Sequence, residues 1–247
     1  MLAQYASTPR LYFAGTLQKD TTLTLPPEAA HYLCIVLRLQ AYDVFRIFNG
    51  KEGEFLAEIL VSDRKKCVVE VKKEIRHQMA DNPLTLIFAP LRKERQHFLI
   101  EKAIELGVTR LIPIITARTN AKAFNEERAR KHIIEATEQC ERLSCAVLHA
   151  PTSLHAFLEG WPKEDSNFFC KERSGAEPLA QSLLNHPVEH TAFLIGPEGG
   201  FTTEESILIE SYSFIHPISL GLHILRSETA ALSALGFWQL YQKAHFE

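Results

Sequence analysis

The residues best suited to chemistry lie in two short stretches of the last quarter of the chain. Ala192–Gly200 reads AFLIGPEGG and Ser219–Ala231 reads SLGLHILRSETAA. Glycine at the end of an apolar run lets the backbone approach a ligand or take positive φ. Beside the glycines stand Glu198, Arg226 and Glu228, which can hold or move charge. Two consecutive stretches of this kind, each with glycine at the turn, suggest a cofactor pocket made largely of backbone. Glycines that only make tight turns are the plainer alternative. Neither stretch has spaced glycines followed by Lys-Ser/Thr, and GxGxxG is absent, so a phosphate loop and a dinucleotide fingerprint are both disfavoured. A β-branched side chain at Gly199 is expected both to clash and to resist positive φ, so that Gly199→Val would abolish cofactor binding while the protein still folds.

The elements around these stretches read as strand, turn and helix. The run before Gly196 fits a buried parallel strand. Thr202 with Glu205 three residues on has the capping-box pattern of a helix start. Ile215–Leu220 is a second short apolar run, Gly221 breaks it, and Ser227 can cap a helix from Glu228 to about Gln242. In open α/β sheets ligands bind at that carboxyl edge. From Leu84 onward the alternation continues: strand Leu84–Ala89, helix Glu94–Leu106 with Gly107 as stop, strand Leu111–Ile115, helix Glu126–Arg142. Further strands are expected at Ala146–His149, Asn167–Cys170, Phe193–Ile195 and Ile215–Ser219. This rhythm predicts a parallel sheet with helices on both faces.

Residues 1–76 read differently, as many short strands and one helix. Arg10–Ala14, Thr21–Leu25, Val44–Phe48, Phe55–Val61 and Lys66–Ile75 are the strand candidates. Asn49–Gly53 makes a hairpin loop. Pro26-Pro27 opens the helix, which continues through Ala29–Leu37. A small barrel is expected, then a linker over residues 77–83, then an α/β domain over residues 84–247.

Five motifs in order give the chain a family likeness. They are PRLYF at residues 9–13, HYLCIVLR at 31–38, KAIELGV at 102–108, EATEQCER at 135–142, and the pair IGPEGGFTTEE and LGLHILRSETA. Together they resemble the ribosomal RNA small subunit methyltransferase E family of the SPOUT class. The resemblance implies a PUA-like, RNA-binding β-barrel followed by an α/β domain with a deep trefoil knot, its chain threaded after about Phe193. It implies methylation of N3 of a uridine in small-subunit (16S) ribosomal RNA from S-adenosylmethionine, in a homodimer and without a metal. The runner-up is a noncatalytic RNA-binding assembly protein of the same fold.

On that likeness, Cys170, Leu194, Ile195, Gly196, Gly199, Gly200, Ile218, Leu220, Gly221 and Leu225 are the expected cofactor contacts. Arg10, Glu198, Arg226 and Glu228 are the expected catalytic residues, and Arg10, His31, Arg38 and Arg118 the expected RNA contacts. Arg10→Ala is expected to leave cofactor affinity alone and to slow methylation about 10²–10³-fold, as for other lost transition-state donors. The chain departs from the family where Cys140-Glu141 replaces an expected Ser-Gly and Tyr32 replaces a second histidine.

Composition counts mildly against an RNA-binding reading. The chain has 247 residues and a formal net charge of −3, which is not the basic excess of a nonspecific nucleic-acid binder. Residues 1–80 hold 11 Lys+Arg against 9 Asp+Glu, while the remainder leans acidic. Five cysteines without a CxxC pair argue for reduced thiols in a cytoplasm rather than a zinc site or disulfide framework. There is no run of 18 apolar residues to span a membrane.

Overall fold

The computed structural model describes residues 2–63, 66–119, 124–172, 175–186 and 190–246. The chain forms two compact units. The first comprises Met1–Ala80 together with Thr137–Cys145, and the second Asp81–Ala136 with Ala146–Glu247. The first unit therefore differs from the contiguous domain the sequence suggests, because it recruits a segment from the middle of the chain.

In the first unit, strands β1 (Arg10–Tyr12), β2 (Thr22–Thr24), β3 (Val44–Phe48), β4 (Glu54–Ser62) and β5 (Cys67–Arg76) form one sheet in the order β1-β3-β4-β5-β2. Only β1 and β3 pair in parallel. The alternating residues of these strands, among them Phe45, Ile47, Ala57, Ile59, Val69 and Val71, bury a core that also takes Ala30 and Leu33. The β3–β4 hairpin turns where Gly50 and Gly53 take φ of 81° and 98°, and Asn49 Oδ1 accepts from the backbone N–H of Lys51 and Glu52. The helix after Pro26 begins as α1 (Pro27–His31) and continues as a π-helical turn over Tyr32–Val36. Leu37 N–H donates five residues back, to the Tyr32 carbonyl, and Arg38 ends the turn at φ 59°.

Arginines hold the recruited segment in the first unit. Glu54, fully buried, faces three guanidinium groups: Arg10 Nε at 2.5 Å, Arg76 Nε at 2.6 Å and Arg46 Nη1 at 3.9 Å. Arg10 also donates to the carbonyls of Thr137, Glu138 and Arg142, and Arg76 to that of Glu141. Those carbonyls lie at and just past the C-terminus of helix α3 (Glu126–Gln139), where the helix dipole is negative and carbonyls lack intrahelical donors. Arg46 completes the set with the Glu141 carboxylate at 2.8 Å. Glu141 takes φ 60°, which ends α3 short of the expected Arg142. A left-handed position is where a helix stop favours glycine, so the expected Ser-Gly is explained by geometry. Here a glutamate accepts the strain and gains an ion pair.

In the second unit the strands are β6 (Leu84–Phe88), β7 (Arg110–Ile115), β8 (Val147–Leu148), β9 (Thr152–Ser153), β10 (Asn167–Cys170), β11 (Glu177–Pro178), β12 (Thr191–Ile195) and β13 (Ile215–Ser219). They lie in the order β11-β13-β10-β12-β6-β7-β8, with β9 pairing β7, and every pairing is parallel. Continuous apolar strands such as β6 and β12 are buried along their length, as a sheet covered on both faces requires. The helices are α2 (Lys93–Glu105), α4 (Leu154–Gly160), α5 (Leu179–Asn185), α6 (Thr203–Glu210) and α7 (Ser227–Phe246), with α3 entering from this unit. Ala231, Ala234, Leu235 and Trp238 of α7 are buried within the chain, so this face covers α2 and β12. Among the described residues, no helix is long and apolar enough to cross a membrane.

Candidate functional site

Parallel strands direct their carboxyl ends to one edge, and three of them end together here. β10 and β12 pair in register, as do β10 and β13, so Cys170, Ile195 and Ser219 finish at the same edge. Each is followed by a loop, and the loops enclose a cavity of about 1040 Å³. That is at the upper end of the ~300–1,000 Å³ usual for small-molecule sites. Every lining residue belongs to the second unit.

Backbone shapes much of the wall. Gly200 takes φ 68° and Gly221 φ 127°, both in the region that side-chain-bearing residues avoid. Gly196 is held by close approach instead: a Cβ there would stand 2.7 Å from the Phe201 ring. Gly199 has neither constraint, since a Cβ would only meet Arg118 at 3.5 Å. The positive φ expected at Gly199 therefore sits one residue later. Ser227 Oγ donates to the Gly196 carbonyl at 2.8 Å, tying the first loop to the start of α7. The Thr202–Glu205 capping box is formed, and the other Glu205 oxygen accepts from Ala117 N–H at 2.7 Å.

Charged groups stand around this frame. Arg95 of α2 pairs with Glu198 at 2.6 Å and lies 3.7 Å from Glu228, so it bridges the two glycine loops. Arg118 donates to the carbonyls of Gly199 and Phe201. Arg226 and Arg92 line the cavity with no side-chain partner among the described residues. Burial pushes the Cys170 thiol far above its usual range, so it packs as a small neutral group rather than a nucleophile.

The model of an RNA methyltransferase domain matches residues 78–239, and that of an RNA methyltransferase PUA domain residues 25–72. The ribosomal RNA small subunit methyltransferase E of Rickettsia conorii is 34% identical over 92% of this chain and 93% of its own length. The enzyme of the same name from Buchnera aphidicola (Acyrthosiphon pisum) is 29% identical over 92% of this chain and 91% of its own. The chain belongs to the ribosomal RNA small subunit methyltransferase E family. Its fold agrees: the family member from Neisseria gonorrhoeae, solved with bound S-adenosylmethionine, superposes with a TM-score of 0.86 at 26% identity, covering 95% of this chain and 98% of that one. A Legionella pneumophila protein, also in complex with S-adenosylmethionine, gives 0.83 at 30% identity, covering 95% and 98%.

Of the residues singled out from the sequence, Cys170, Ile195, Gly196, Gly199, Gly200, Leu220, Gly221 and Leu225 line the cavity, with Glu198, Arg226 and Arg118. Leu194 and Ile218 do not: both are fully buried in the strands behind it. Glu228 is not a lining residue either, and reaches the site through Arg95. His31 and Arg38 are exposed in the first unit. Arg10 is also in the first unit, with its side chain 4% exposed. Four hydrogen bonds and a stack over Phe48 at 3.6 Å occupy its guanidinium. This geometry gives Arg10 an anchoring role, in contrast to the contact with the target base expected from its motif.

Arg92 and Arg95 were missed. Both follow the end of β6, and the rule that ligands sit at strand carboxyl ends pointed there. Phe201, whose ring packs on Gly196, was missed as well. For a metal, His97, His132 and Glu135 bring one ligand atom each within 4.8 Å of one another. The two rings stack at 3.6 Å and 18°, so their lone pairs run in nearly parallel planes instead of converging on one ion.

Proposed function

We propose that this chain transfers a methyl group from S-adenosylmethionine to N3 of a uridine in small-subunit ribosomal RNA, as a homodimer with the knotted fold of its class. The observation that carries the reading is the coincidence of the GPEGG and LGLHILRSETA loops at one strand edge around a single large cavity. The residues suit the cofactor: glycine backbone at 196, 200 and 221, with Ile195, Leu220 and Leu225 as apolar sides for an adenine. Bound S-adenosylmethionine supplies an activated methyl group for in-line displacement.

The protein must align that methyl with N3 and favour the imide anion. Alignment can contribute about 7–11 kcal/mol in ideal cases. The loops tied by Ser227 and Arg95 provide the rigid frame for it. Arg226 is the cation that stabilises negative charge on the uracil as N3 loses its proton. Glu198 and Glu228 orient Arg95, the role their contacts favour over that of a base. His31, Arg38 and Arg118 contact RNA, and Arg10 keeps the first unit in shape.

The noncatalytic alternative has no use for a cofactor cavity. Calorimetry with S-adenosylmethionine, and mass spectrometry of ribosomal RNA nucleosides from cells with and without the gene, test the proposal together. Loss of 3-methyluridine on deletion is the expected result; an unchanged nucleoside profile would overturn the reading. Light scattering of the purified chain at micromolar concentration tests the dimer, and a mass near 28.0 kDa would refute it.

A further inference from the structure

The cavity has a charge its cofactor does not need. Five cations line it (Arg92, Arg95, Arg118, Lys171 and Arg226) against two carboxylates, Glu172 and Glu198, in a chain whose net charge is −3. Two of the cations are neutralised locally, Arg95 by Glu198 and Lys171 by Glu210. Arg92 and Arg226 have no carboxylate partner among the described residues. Arg118 has none within 4 Å, although Glu204 is near enough to feel its charge, and Glu172 also lies at the cavity. S-adenosylmethionine is itself a net cation, with a sulfonium, an ammonium and one carboxylate. An excess of arginine would repel it, and a single guanidinium can match its one carboxylate in a two-pronged pair. The surplus fits a polyanion instead.

We propose that Arg92 and Arg118 form a subsite for an RNA backbone phosphate at this cavity, beside the Arg226 that faces the target base. The inference rests on the proposed methylation and specifies where the RNA strand lies. Arginine suits the task, since its planar fork matches phosphate oxygens. Arg118 is already oriented by the carbonyls of Gly199 and Phe201, bonds that fix its position without cancelling its charge. Arg92 is exposed and free to meet the strand.

Arg92 is the cleanest residue to change, because no side-chain bond among the described residues is lost with it. Wild type, Arg92→Ala and Arg92→Lys of the full chain are titrated with a fluorescein-labelled single-stranded RNA decamer by anisotropy, from 50 to 300 mM salt. Arg92→Ala should weaken RNA binding about tenfold and lower the salt slope by about 0.7, the value for one phosphate contact on a single strand. Arg92→Lys should keep the slope, and S-adenosylmethionine affinity should stay within twofold in both variants. Unchanged RNA affinity and slope in Arg92→Ala would overturn the subsite. So would sub-millimolar binding of inorganic phosphate that depends on Arg92 while RNA affinity does not, since the site would then serve a free phosphate. Single-turnover methylation of small-subunit RNA separates the two proposals. Methylation that is insensitive to Arg92→Ala sinks the subsite alone. Arg92-dependent RNA binding without any methylation by wild type sinks the activity alone.

Discussion

Two sets of arginines divide the labour of this molecule. Arg10, Arg46 and Arg76 in the first unit are turned inward, against the buried Glu54 and the carbonyls at the end of α3. Arg92, Arg118 and Arg226 in the second unit line a cavity with no carboxylate within 4 Å among the described residues, although Glu204 feels the charge of Arg118. The same side chain is a rivet in one place and part of a cavity wall in the other. What differs is how much of its charge the protein itself cancels. Burial pulls the Arg10 pKa down and the Glu54 bond pulls it back, so Arg10 stays charged because its counter-ion is built in.

The largest effect should come from the inward set. Removing one partner of a buried pair leaves an uncompensated charge, which costs about 3–5 kcal/mol. Glu54→Gln, which leaves the guanidinium groups without their carboxylate, should lower stability by that amount in urea unfolding. Arg10→Ala, which leaves Glu54 with Arg76 but strands the carbonyls of Thr137, Glu138 and Arg142, should also be destabilising. A loss under about 1 kcal/mol for both would mean that water reaches the cluster and that the two sets are not distinct.

Next in size are the glycines of the cavity wall. Gly200→Val forces a β-branched residue to φ 68°. The left-handed penalty of about 1–2 kcal/mol predicts roughly tenfold weaker S-adenosylmethionine binding if the loop relaxes out of shape. Gly199→Ala should bind within twofold of wild type, and calorimetry on both variants ranks them. Equal losses would show that the two positions are constrained alike.

Glu141 sharpens the comparison further, because it mixes strain with charge. Glu141→Ala loses the Arg46 pair and keeps the left-handed strain, whereas Glu141→Gly loses the pair and relieves the strain. Glu141→Gly should be the more stable of the two by about 1 kcal/mol. Identical unfolding midpoints would show that the left-handed position carries no cost.

The smallest effect is the pH dependence of that pair. The Arg46 hydrogen bond holds the Glu141 carboxyl below its ordinary value of 4.5. Its contribution is present above the unfolded pKa and is lost as pH falls through the lowered folded value. The carboxylate is 41% exposed, so screening keeps the gain under about 1 kcal/mol. The stability gap between wild type and Glu141→Gln should be flat from pH 6 to 8 and shrink below about pH 4.5. A gap that widens on acidification would have the wrong sign.

Much of the fold could be read from local pattern. Strands Val44–Phe48, Asn167–Cys170 and Ile215–Ser219 stand where alternation or apolar runs placed them, and the Thr202 capping box is formed. Short elements escaped. Helices α4 and α5 have seven residues each, too few for a clear period, although Ser153 caps α4 and was a readable signal. The membership of Thr137–Cys145 in the first unit was not legible, because its arginines bind backbone carbonyls, which any sequence supplies. At the cavity, the loops were legible as strand ends with glycine. The difference between Gly199 and Gly200 was not, since φ depends on how the loop closes. Arg10 shows the limit of reasoning from a motif: a charged residue in a recurring pattern can serve the fold as readily as the substrate.

The split composition of the first unit bears on how the chain is made. Translation delivers residues 1–80 first, with Arg10, Arg46, Arg76 and Glu54 among them, yet the carbonyls that complete their bonding lie at residues 137–142. At about 5–20 residues per second, those partners follow some seconds later. During that interval the three guanidinium groups of the nascent sheet lack their full set of acceptors and have the Glu54 carboxylate to share. The first unit should therefore lock only after the second has begun to emerge, and a fragment ending at Ala80 should be a poor stand-in for it.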